Sequence, residues 1–210
     1  CVDGCADDAP DIGMTVFLAG ASREGLVMTT NILVTGGLGV NGAWVIRKMI
    51  ERGLEPIVFE NRIDMSLLGA EWARKATIVE GDVTDLDALV SVFRDYRIEC
   101  VVHMAAMISG MQEDPLKGFS VNALGTVHVL EAASIAGVER VVYTSSRAAY
   151  GHIDGRAAHP HYEPITEAHP QRPRRVYDVC KVASEGMGRN YAQARGLQFV
   201  ALRFAQIFGP

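Results

Sequence analysis

Apolar and polar positions follow two different rhythms along this chain. From residue 31 onward, short apolar runs alternate with longer segments in which apolar residues recur every three or four positions. The short runs are typical of strands buried on both faces, and the longer segments are typical of helices that cover a sheet. The predicted strands occupy residues 31–35, 56–60, 76–80, 99–104, 139–145 and 198–204. The predicted helices lie near residues 41–52, 66–74, 85–95, 116–136 and 174–195.

This regular alternation predicts an α/β fold, a doubly wound parallel sheet with helices on both faces. Crossovers of this kind are right-handed, so the expected strand order is 3-2-1-4-5-6, with ligands bound beyond the carboxyl ends of the strands. Residues 29–210 are predicted to form one domain. Residues 1–28 begin with an Asp-rich stretch, show no signal-peptide pattern, and are predicted to be a poorly ordered N-terminal extension.

The composition narrows the expected partners. Of 210 residues, 49% are apolar and 21% are charged, which is typical of a globular chain with one sizeable core. The net charge is −5 and the basic residues are scattered, so we expect neither nucleic acid nor a membrane surface as a partner. The apolar runs have the length of strands, well below the roughly 18 residues of a membrane span. Four cysteines without a paired spacing favour a reducing, cytoplasmic location, and six histidines without a ligand spacing predict no metal.

A glycine-rich segment joins the first strand to the first helix. Residues 35–42 read Thr-Gly-Gly-Leu-Gly-Val-Asn-Gly. Gly36 can form the tight turn, Gly39 lets backbone amides approach a phosphate, and Gly42 lets the helix pack closely against the strand. The N-terminus of the helix faces this turn and can bind an anion, so the segment predicts a dinucleotide site of the Rossmann type. An ordinary strand-to-helix loop is the simpler alternative.

The end of the second strand indicates which dinucleotide is bound. Glu60 ends this strand, where a carboxylate can accept hydrogen bonds from the adenosine ribose and repel a 2′-phosphate. This favours NAD over NADP, although Arg62 could instead neutralise a 2′-phosphate. Asp82, after the third strand, is placed to meet the adenine, but a helix-capping role together with Thr84 and Asp85 competes with this interpretation.

A candidate catalytic pair lies in the last predicted helix. Tyr177 and Lys181 are four residues apart and therefore share one helix face. The lysine ammonium would favour the phenolate and lower the pKa of Tyr177, which could then act as a base. Ser146 ends a buried strand at the same sheet edge and could hold a substrate oxygen. A chance spacing of the pair and a strand-end cap at Ser146 are the alternatives.

Several ordered motifs resemble those of the extended short-chain dehydrogenase/reductase superfamily. The branch that residues 31–210 resemble is the NAD-dependent epimerase/dehydratase family, whose members act on nucleotide sugars. The motifs are Thr35–Gly42, Gly81–Val83, His103–Ala106, Asn122–Thr126, Tyr143–Ser146 with Tyr150–Gly151, Tyr177–Lys181, and Arg203 with Gly209–Pro210. The resemblance implies a Rossmann fold, NAD as the cofactor, and Ser146, Tyr177 and Lys181 as the catalytic set.

The resemblance also implies contacts with the cofactor. Lys181 would hold the nicotinamide ribose, the strand that ends in His103–Ala106 would pass beneath the cofactor, and Asn122 would support the active-site geometry. With the glycine turn and the acidic positions included, the expected NAD-contacting residues are Gly36, Leu38, Gly39, Val40, Gly42, Glu60, Asn61, Arg62, Asp82, Val83, Met104, Ala105, Ala106, Asn122, Thr144, Tyr177 and Lys181.

Departures from the family pattern narrow the expected reaction. Sugar 4,6-dehydratases carry an acidic pair after the catalytic hydroxyl, whereas Arg147 and two alanines follow Ser146 here, so dehydration is disfavoured. What remains is oxidation of a secondary alcohol to a keto intermediate, in which Tyr177 removes the hydroxyl proton and hydride passes to NAD. Return of the hydride gives epimerisation, and release of the reduced cofactor gives dehydrogenation of a sugar or a small alcohol.

Three further expectations concern the substrate, the activity and the assembly. Gln206 replaces a family asparagine and counts against a nucleotide sugar, and the sequence ends at Pro210, where the family continues into a substrate lobe, so this lobe is expected to be missing. A regulator or pseudoenzyme that binds the cofactor without turnover is an alternative, although the intact Ser-Tyr-Lys set argues against it. A homodimer through the helices near 116–136 and 174–195 is expected.

Overall fold

The fold is built on one parallel sheet, in a computed structural model that describes residues 30–151 and 166–205. The strands are β1 (Ile32–Thr35), β2 (Ile57–Glu60), β3 (Thr77–Glu80), β4 (Cys100–His103), β5 (Arg140–Ser146) and β6 (Gln198–Phe204). Their order is β3-β2-β1-β4-β5-β6, and every neighbouring pair is parallel. The doubly wound order predicted from the sequence is thus confirmed. The predicted extension at residues 1–28 lies outside the described residues and stays a prediction.

Within the described residues, helices connect these strands. They are α1 (Val40–Glu51), α2 (Ala70–Ala73), α3 (Leu86–Asp95), α4 (Pro115–Phe119), α5 (Gly125–Ala136) and α6 (Val176–Arg195). A π-helical turn at Ser120–Leu124 joins α4 to α5, and a 3₁₀ turn at Arg147–Tyr150 follows β5. The helix predicted at 66–74 is only the single turn α2. Its start is delayed because Gly69 adopts φ +85° and ψ 146°, outside the helical region.

Both faces of the sheet are covered, as the apolar strands predict. In β1, Leu33 joins a core cluster with Leu89 of α3 and Leu130 of α5, whereas Val34 joins a second cluster with Ile46 of α1. All five side chains are fully buried. Consecutive residues of a strand point to opposite faces, so burial on both faces requires an unbroken apolar run.

The helical segment that runs from α4 into α5 is long and apolar. Residues Pro115–Ala136 are 22 helical residues, and their most apolar window has a mean hydropathy of 1.2. By length and composition alone this segment could cross a membrane, which differs from the strand-sized apolar runs expected from the sequence. However, 44% of the window is buried in the fold, and Leu130 and Ala133 are fully buried in the core. A core helix passes the same test, so the segment is weak support for a membrane span.

The glycine turn after β1 is closely packed on two sides. Gly36 has a left-handed φ of +71°, and a Cβ built on it would lie 2.6 Å from the backbone nitrogen of Ala105. A Cβ on Gly42, in the first turn of α1, would lie 2.3 Å from the carbonyl oxygen of Gly36. The turn is therefore held between the segment after β4 and the start of α1, and glycine is required at both positions.

Replacing Gly42 by alanine tests this close packing. The added methyl group would meet backbone atoms of Gly36 and Gly37 within 2.6 Å, so α1 must move away from the turn. We expect Gly42→Ala to lower the free energy of unfolding in urea by about 1–3 kcal/mol, the usual range for overpacking. Gly186→Ala in α6 is the control, because its Cβ meets nothing within 4 Å and alanine favours a helix by up to about 1 kcal/mol. Equal stability of the two variants would contradict the packing argument.

Candidate active site

The predicted site residues converge at the carboxyl edge of the sheet. Because all strands are parallel, the glycine turn after β1, Glu60 at the end of β2 and Ser146 at the end of β5 reach the same edge. The strand order reverses between β1 and β4, where folds of this kind form a crevice for a ligand. Met104, Ala105 and Ala106 follow β4 directly, and Ala105 packs against the glycine turn.

Glu60 lies against the glycine turn. One carboxylate oxygen accepts the N–H of Leu38 at 3.3 Å, and the other accepts the N–H of Asn61 at 3.2 Å. Burial raises the pKa of Glu60 above its ordinary value, while the two backbone hydrogen bonds and, more weakly, the charge of Arg62 oppose the rise. Arg62 itself is exposed. The structure therefore brings the predicted carboxylate to the turn and leaves the arginine at the surface.

Asp82 shapes the loop between β3 and α3. Its Oδ1 accepts hydrogen bonds from the backbone N–H of Thr84 at 2.9 Å and from the Thr84 hydroxyl at 2.8 Å. Although burial raises the pKa of Asp82, these bonds outweigh it and hold the pKa below its ordinary value. The N-cap of α3 is Asp85, which accepts the N–H of Ala88 at 3.0 Å. The capping role considered for Asp82 belongs to Asp85, and Asp82 Oδ2 accepts from Asn61 at 3.4 Å.

Three other expected cofactor contacts differ in their exposure. Val40 is 43% exposed at the start of α1. Leu38 and Val83 are 5% and 6% exposed, and their side chains belong to the two core clusters. A ligand in the crevice would therefore meet the backbone of these two residues before their side chains.

The N-terminus of α6 is fixed where Tyr177 enters the site. Asp178 is buried, and its Oδ2 accepts the backbone N–H groups of Arg174 and Arg175 at 3.2 and 3.1 Å. These bonds satisfy donors at the helix start that would otherwise lack a partner within the helix. They hold the first turn of α6, and Tyr177 with it.

Ser146, Tyr177 and Lys181 meet at the carboxyl edge. Ser146 ends β5, and its Oγ accepts the N–H of Ala148 at 3.1 Å, which begins the 3₁₀ turn. Ser146 and Tyr177 both line the adjoining cavity, and the Ser146 side chain lowers the pKa of the Tyr177 phenol. Lys181, one turn along α6, is 3% exposed, and its Nζ donates to the carbonyl oxygen of Thr144 at 2.7 Å. Ser146 thus caps the turn and faces Tyr177 at the same time.

Burial dominates the electrostatics of the Tyr177–Lys181 pair. It lowers the pKa of Lys181 to about 8, and it raises the pKa of Tyr177 above its ordinary value against the opposing effect of the Ser146 side chain. The predicted lowering of the Tyr177 pKa by Lys181 is therefore wrong for this structure. The ammonium lies 5.4 Å from the centre of the Tyr177 ring and 4.7 Å from that of Tyr143, and it donates to a backbone carbonyl instead of the phenol oxygen.

A buried hydrogen-bond chain links the ends of β1 and β4. Thr35 Oγ1 lies 2.6 Å from His103 Nδ1 and accepts the N–H groups of Met104 and Ala105 at 3.2 and 3.3 Å. His103 Nε2 lies 3.1 Å from Thr126 Oγ1 on α5. Complete burial lowers the pKa of His103 to about 3, so the imidazole is neutral at pH 7. These hydrogen bonds fix the start of the segment after β4, which borders the crevice.

Asn122, in the π turn, supports the loop after β4. Its Oδ1 accepts the N–H of Met107 and its Nδ2 donates to the Met107 carbonyl oxygen, both at 2.7 Å. Its own carbonyl oxygen accepts from the hydroxyls of Thr126 at 2.7 Å and Ser184 at 3.1 Å. The Thr126 hydroxyl donates its only proton to the Asn122 carbonyl oxygen, so toward His103 it can only accept. His103 Nε2 must therefore carry the proton and donate it to Thr126 Oγ1. The Asn122 side chain is 2% exposed, so a role toward a cofactor is indirect.

A cavity of about 450 Å³ opens beside the catalytic candidates. Its lining includes Ser146, Tyr177, Arg147, Gln112 and Arg175. The volume lies within the range of small-molecule sites in proteins. The cavity therefore offers a place where a substrate hydroxyl could reach both Ser146 and Tyr177.

Glu185 is the part of this region that the sequence analysis missed. It lies one turn beyond Lys181 on α6, is 1% exposed, and accepts hydrogen bonds from Ser145 Oγ at 2.6 Å and from Arg203 Nε at 2.8 Å. The spacing of Tyr177, Lys181 and Glu185 places all three on one helix face. That spacing is the signal that could have indicated the residue, although not its partners.

Some predicted features lie outside the described residues. They are Gln206 and Gly209–Pro210. In the ranges that the structure describes, no three His, Cys, Asp or Glu side chains are grouped so that they could hold a metal ion. The role expected of Gln206 therefore stays a prediction.

Known proteins similar to this chain define its class. The model of the NAD dependent epimerase/dehydratase family matches residues 32–210. The UDP-glucose 4-epimerase of Lacticaseibacillus casei is 32% identical over 180 residues, which cover 85% of this chain and 52% of that protein. The crystal structure of the Thermus thermophilus UDP-glucose 4-epimerase in complex with NAD matches with a TM-score of 0.76 at 33% identity, over 86% of this chain and 57% of that one. The Thermotoga maritima UDP-glucose 4-epimerase with UDP-glucose gives a TM-score of 0.76 at 30% identity, over the same shares.

The doubly wound sheet and the glycine turn define a dinucleotide-binding α/β protein. The chain belongs to the NAD dependent epimerase/dehydratase family, which confirms the resemblance seen in the sequence. The prediction of NAD as the cofactor is confirmed at the level of the family. The chain spans about half the length of the curated relatives that it matches.

Proposed function

We propose that this protein is an NAD-dependent epimerase that acts on a secondary alcohol of a nucleotide sugar through a keto intermediate. The observation that carries the proposal is the convergence of Ser146, Tyr177 and Lys181 beside a cavity at the carboxyl edge of the sheet. The UDP-glucose 4-epimerases among the similar proteins support the same reaction and substrate class.

The first crossover fits a bound dinucleotide. Side chains at Gly36 and Gly42 would collide with backbone, so only glycine at these two positions allows the close packing of the turn. Helix α1 begins after Gly39 without a side-chain cap, so the N–H groups at its N-terminus are available to a pyrophosphate. Glu60, beside the turn, suits the adenosine ribose hydroxyls. NAD bound here would accept a hydride from the substrate carbon and return it.

Tyr177 is the proposed acid and base. Its oxygen takes the proton from the substrate hydroxyl while the carbon loses hydride, and it gives the proton back when the ketone is reduced. Burial raises the pKa of the phenol, and the Ser146 side chain opposes this rise. Lys181, with a pKa of about 8, is largely protonated at pH 7 and would hold the nicotinamide ribose. The Ser146 hydroxyl would hold the substrate oxygen.

Two arginines line the cavity beside the carboxylates of Glu113 and Asp178, and they offer guanidinium groups to an anionic substrate. Arg147 follows Ser146 directly, is exposed, and lines the cavity together with Arg175. Guanidinium groups bind the oxygens of phosphates well, and a nucleotide sugar carries a diphosphate. The absence of an acidic side chain immediately after Ser146 also counts against dehydration.

Two other functions would use the same fold. A dehydrogenase would keep the same proton and hydride steps and would release the reduced cofactor. A cofactor-binding regulator would need neither the cavity nor the three polar side chains beside it. We favour epimerisation because UDP-glucose 4-epimerases recur among the similar proteins.

Substitution of Tyr177 by phenylalanine tests the proton transfer, in the longest form of the protein that its gene encodes. We expect kcat with a nucleotide sugar to fall at least about 100-fold, because general acid–base catalysis contributes roughly 10²–10⁴-fold. NAD affinity, measured by calorimetry, should stay nearly unchanged since only one oxygen is lost. Tyr191→Phe, on the same helix but hydrogen-bonded to Glu131, is the matched control.

A loss of kcat below about tenfold in Tyr177→Phe would exclude the base role. NAD binding without turnover of any nucleotide sugar by the unmodified protein would favour the regulator.

Substitution of Glu60 by alanine tests the choice of cofactor. We expect the unmodified chain to bind NAD more tightly than NADP, because the carboxylate beside the turn repels a 2′-phosphate. In Glu60→Ala the ratio of the two dissociation constants should fall by about tenfold or more. Glu80→Ala is the control, since Glu80 ends the neighbouring strand in register with Glu60. Equal affinities in the unmodified chain would refute the role of Glu60 and point to Arg62.

We also propose a homodimer formed through the helices near 116–136 and 174–195, which include α4, α5 and α6. Leu116 and Phe119 of α4 are 85% and 50% exposed, and Val179 of α6 is 43% exposed, so apolar surface remains on these helices. Sedimentation velocity should show a dimer for the unmodified chain and a monomer for Leu116→Asp combined with Phe119→Asp. Leu67→Asp, at an apolar position that is 44% exposed elsewhere, should leave the dimer intact. A monomer in every case would overturn this proposal.

A further inference from the structure

Glu185 is a buried carboxylate with an unusually complete set of donors. The Glu185 side chain is 2% exposed. Its donors are Ser145 Oγ at 2.6 Å, Arg203 Nε at 2.8 Å, Arg203 Nη2 at 2.6 Å and Gln171 Nε2 at 3.1 Å, with Arg189 Nη1 at 3.6 Å. Burial raises the pKa of Glu185, but the hydrogen bonds from Arg203 and Ser145 outweigh it and hold the pKa below its ordinary value. The carboxylate is therefore ionised at neutral pH.

These donors come from different elements around the candidate active site. Arg203 lies on β6, directly opposite Ser145 in the β5–β6 register, and Ser145 immediately precedes Ser146. The Arg203 guanidinium also lies 4.6 Å from the centre of the Tyr150 ring, at the end of the 3₁₀ turn. One carboxylate thus joins α6, β5 and β6 where they carry the proposed catalytic groups.

Stability alone is a weak reason for such a cluster. A buried ion pair loses hydration that its internal attraction only partly restores, and well-packed apolar side chains are often as stable. A charge network next to reactive groups is also able to fix their geometry and their charge. The location of Glu185 is the reason to favour this second role.

Glu185 is also the negatively charged neighbour that favours the ammonium form of Lys181. In the part of the chain that the structure describes, the titratable groups around Lys181 are His103 on β4, Tyr143 on β5, and Tyr177, Cys180 and Glu185 on α6. Burial lowers the pKa of His103 and raises the pKa values of the two tyrosines and of Cys180, so these groups are neutral at pH 7. Among these neighbours, only Glu185 carries the negative charge that favours the ammonium.

We propose that Glu185 is a positioning residue for the Ser146–Tyr177–Lys181 site. Clamped by Ser145 and Arg203, it holds α6 against the end of β5 so that Tyr177 faces Ser146. Its charge, one helix turn away, keeps Lys181 in the ammonium form. This inference rests on the proposed function only for its effect on turnover, because the effect on Lys181 is a property of the chain alone.

The charge effect is measured first, without cofactor or substrate. The sequence has four lysines, so the side-chain signals of isotopically labelled lysine can be followed by NMR, with Lys181→Arg identifying the signal. In Glu185→Gln, which keeps the size but not the charge, the acid dissociation constant of Lys181 should rise by about threefold or more. A unit charge one helix turn away has this effect even with full water screening. Glu131→Gln, which removes a carboxylate from the Tyr191–Arg195 pair, should leave the titration unchanged. An unchanged Lys181 titration in Glu185→Gln would overturn the proposal.

The geometric effect is measured with a milder variant that keeps the charge. Ser145→Ala removes only the hydrogen bond between β5 and Glu185, so it serves even where Glu185→Gln does not fold. We expect the Lys181 titration to stay as in the unmodified protein, and kcat to fall several-fold while KM for the nucleotide sugar stays constant. An unchanged kcat would show that the link is only structural. If Tyr177→Phe keeps its activity while Lys181 still responds to Glu185→Gln, the proposed function fails and the charge coupling stands.

Discussion

Parallel pairing of all six strands is the constraint on which the site depends. It places every carboxyl end at one edge of the sheet, so groups as distant in sequence as Gly36 and Ser146 arrive in the same region. The close contact at the glycine turn then sets the spacing. Because Gly36 leaves no room for a side chain against Ala105, and Gly42 none against Gly36, the ends of β1 and β4 and the start of α1 cannot shift independently. A crevice of fixed shape is the consequence.

The second feature of the carboxyl edge of the sheet is that two of its buried side chains remain charged. Lys181 is 3% exposed and Glu185 is 1% exposed, yet both are provided with partners, a backbone carbonyl for the first and a bidentate arginine for the second. His103 is equally buried and is instead kept neutral between two threonine hydroxyls. Buried polar groups are costly unless they are satisfied, so their concentration at one edge supports the proposal that the functional site lies there.

Family membership and geometry support the proposed function in different ways. The match over residues 32–210 establishes the family, but a fold can host many reactions, and the chain spans about half the length of its curated relatives. The chemistry is therefore argued from the site. A phenol, a buried ammonium and a serine hydroxyl meet beside a cavity, and these are the groups that the proposed reversible oxidation of a sugar hydroxyl would use.

Periodicity and spacing along the chain determined the strand order, the glycine turn and the shared helix face of Tyr177 and Lys181, because these depend on local pattern and on the handedness of crossovers. The sequence also indicated that Glu60 ends β2, but not its contact with Leu38. Only the tertiary structure decided the direction of the Tyr177 pKa shift, since spacing cannot show how far a phenol is buried. Only the tertiary structure showed that Glu185 pairs with Arg203 and Ser145. These partners lie on separate elements, and spacing along the chain does not show how close such elements lie in space.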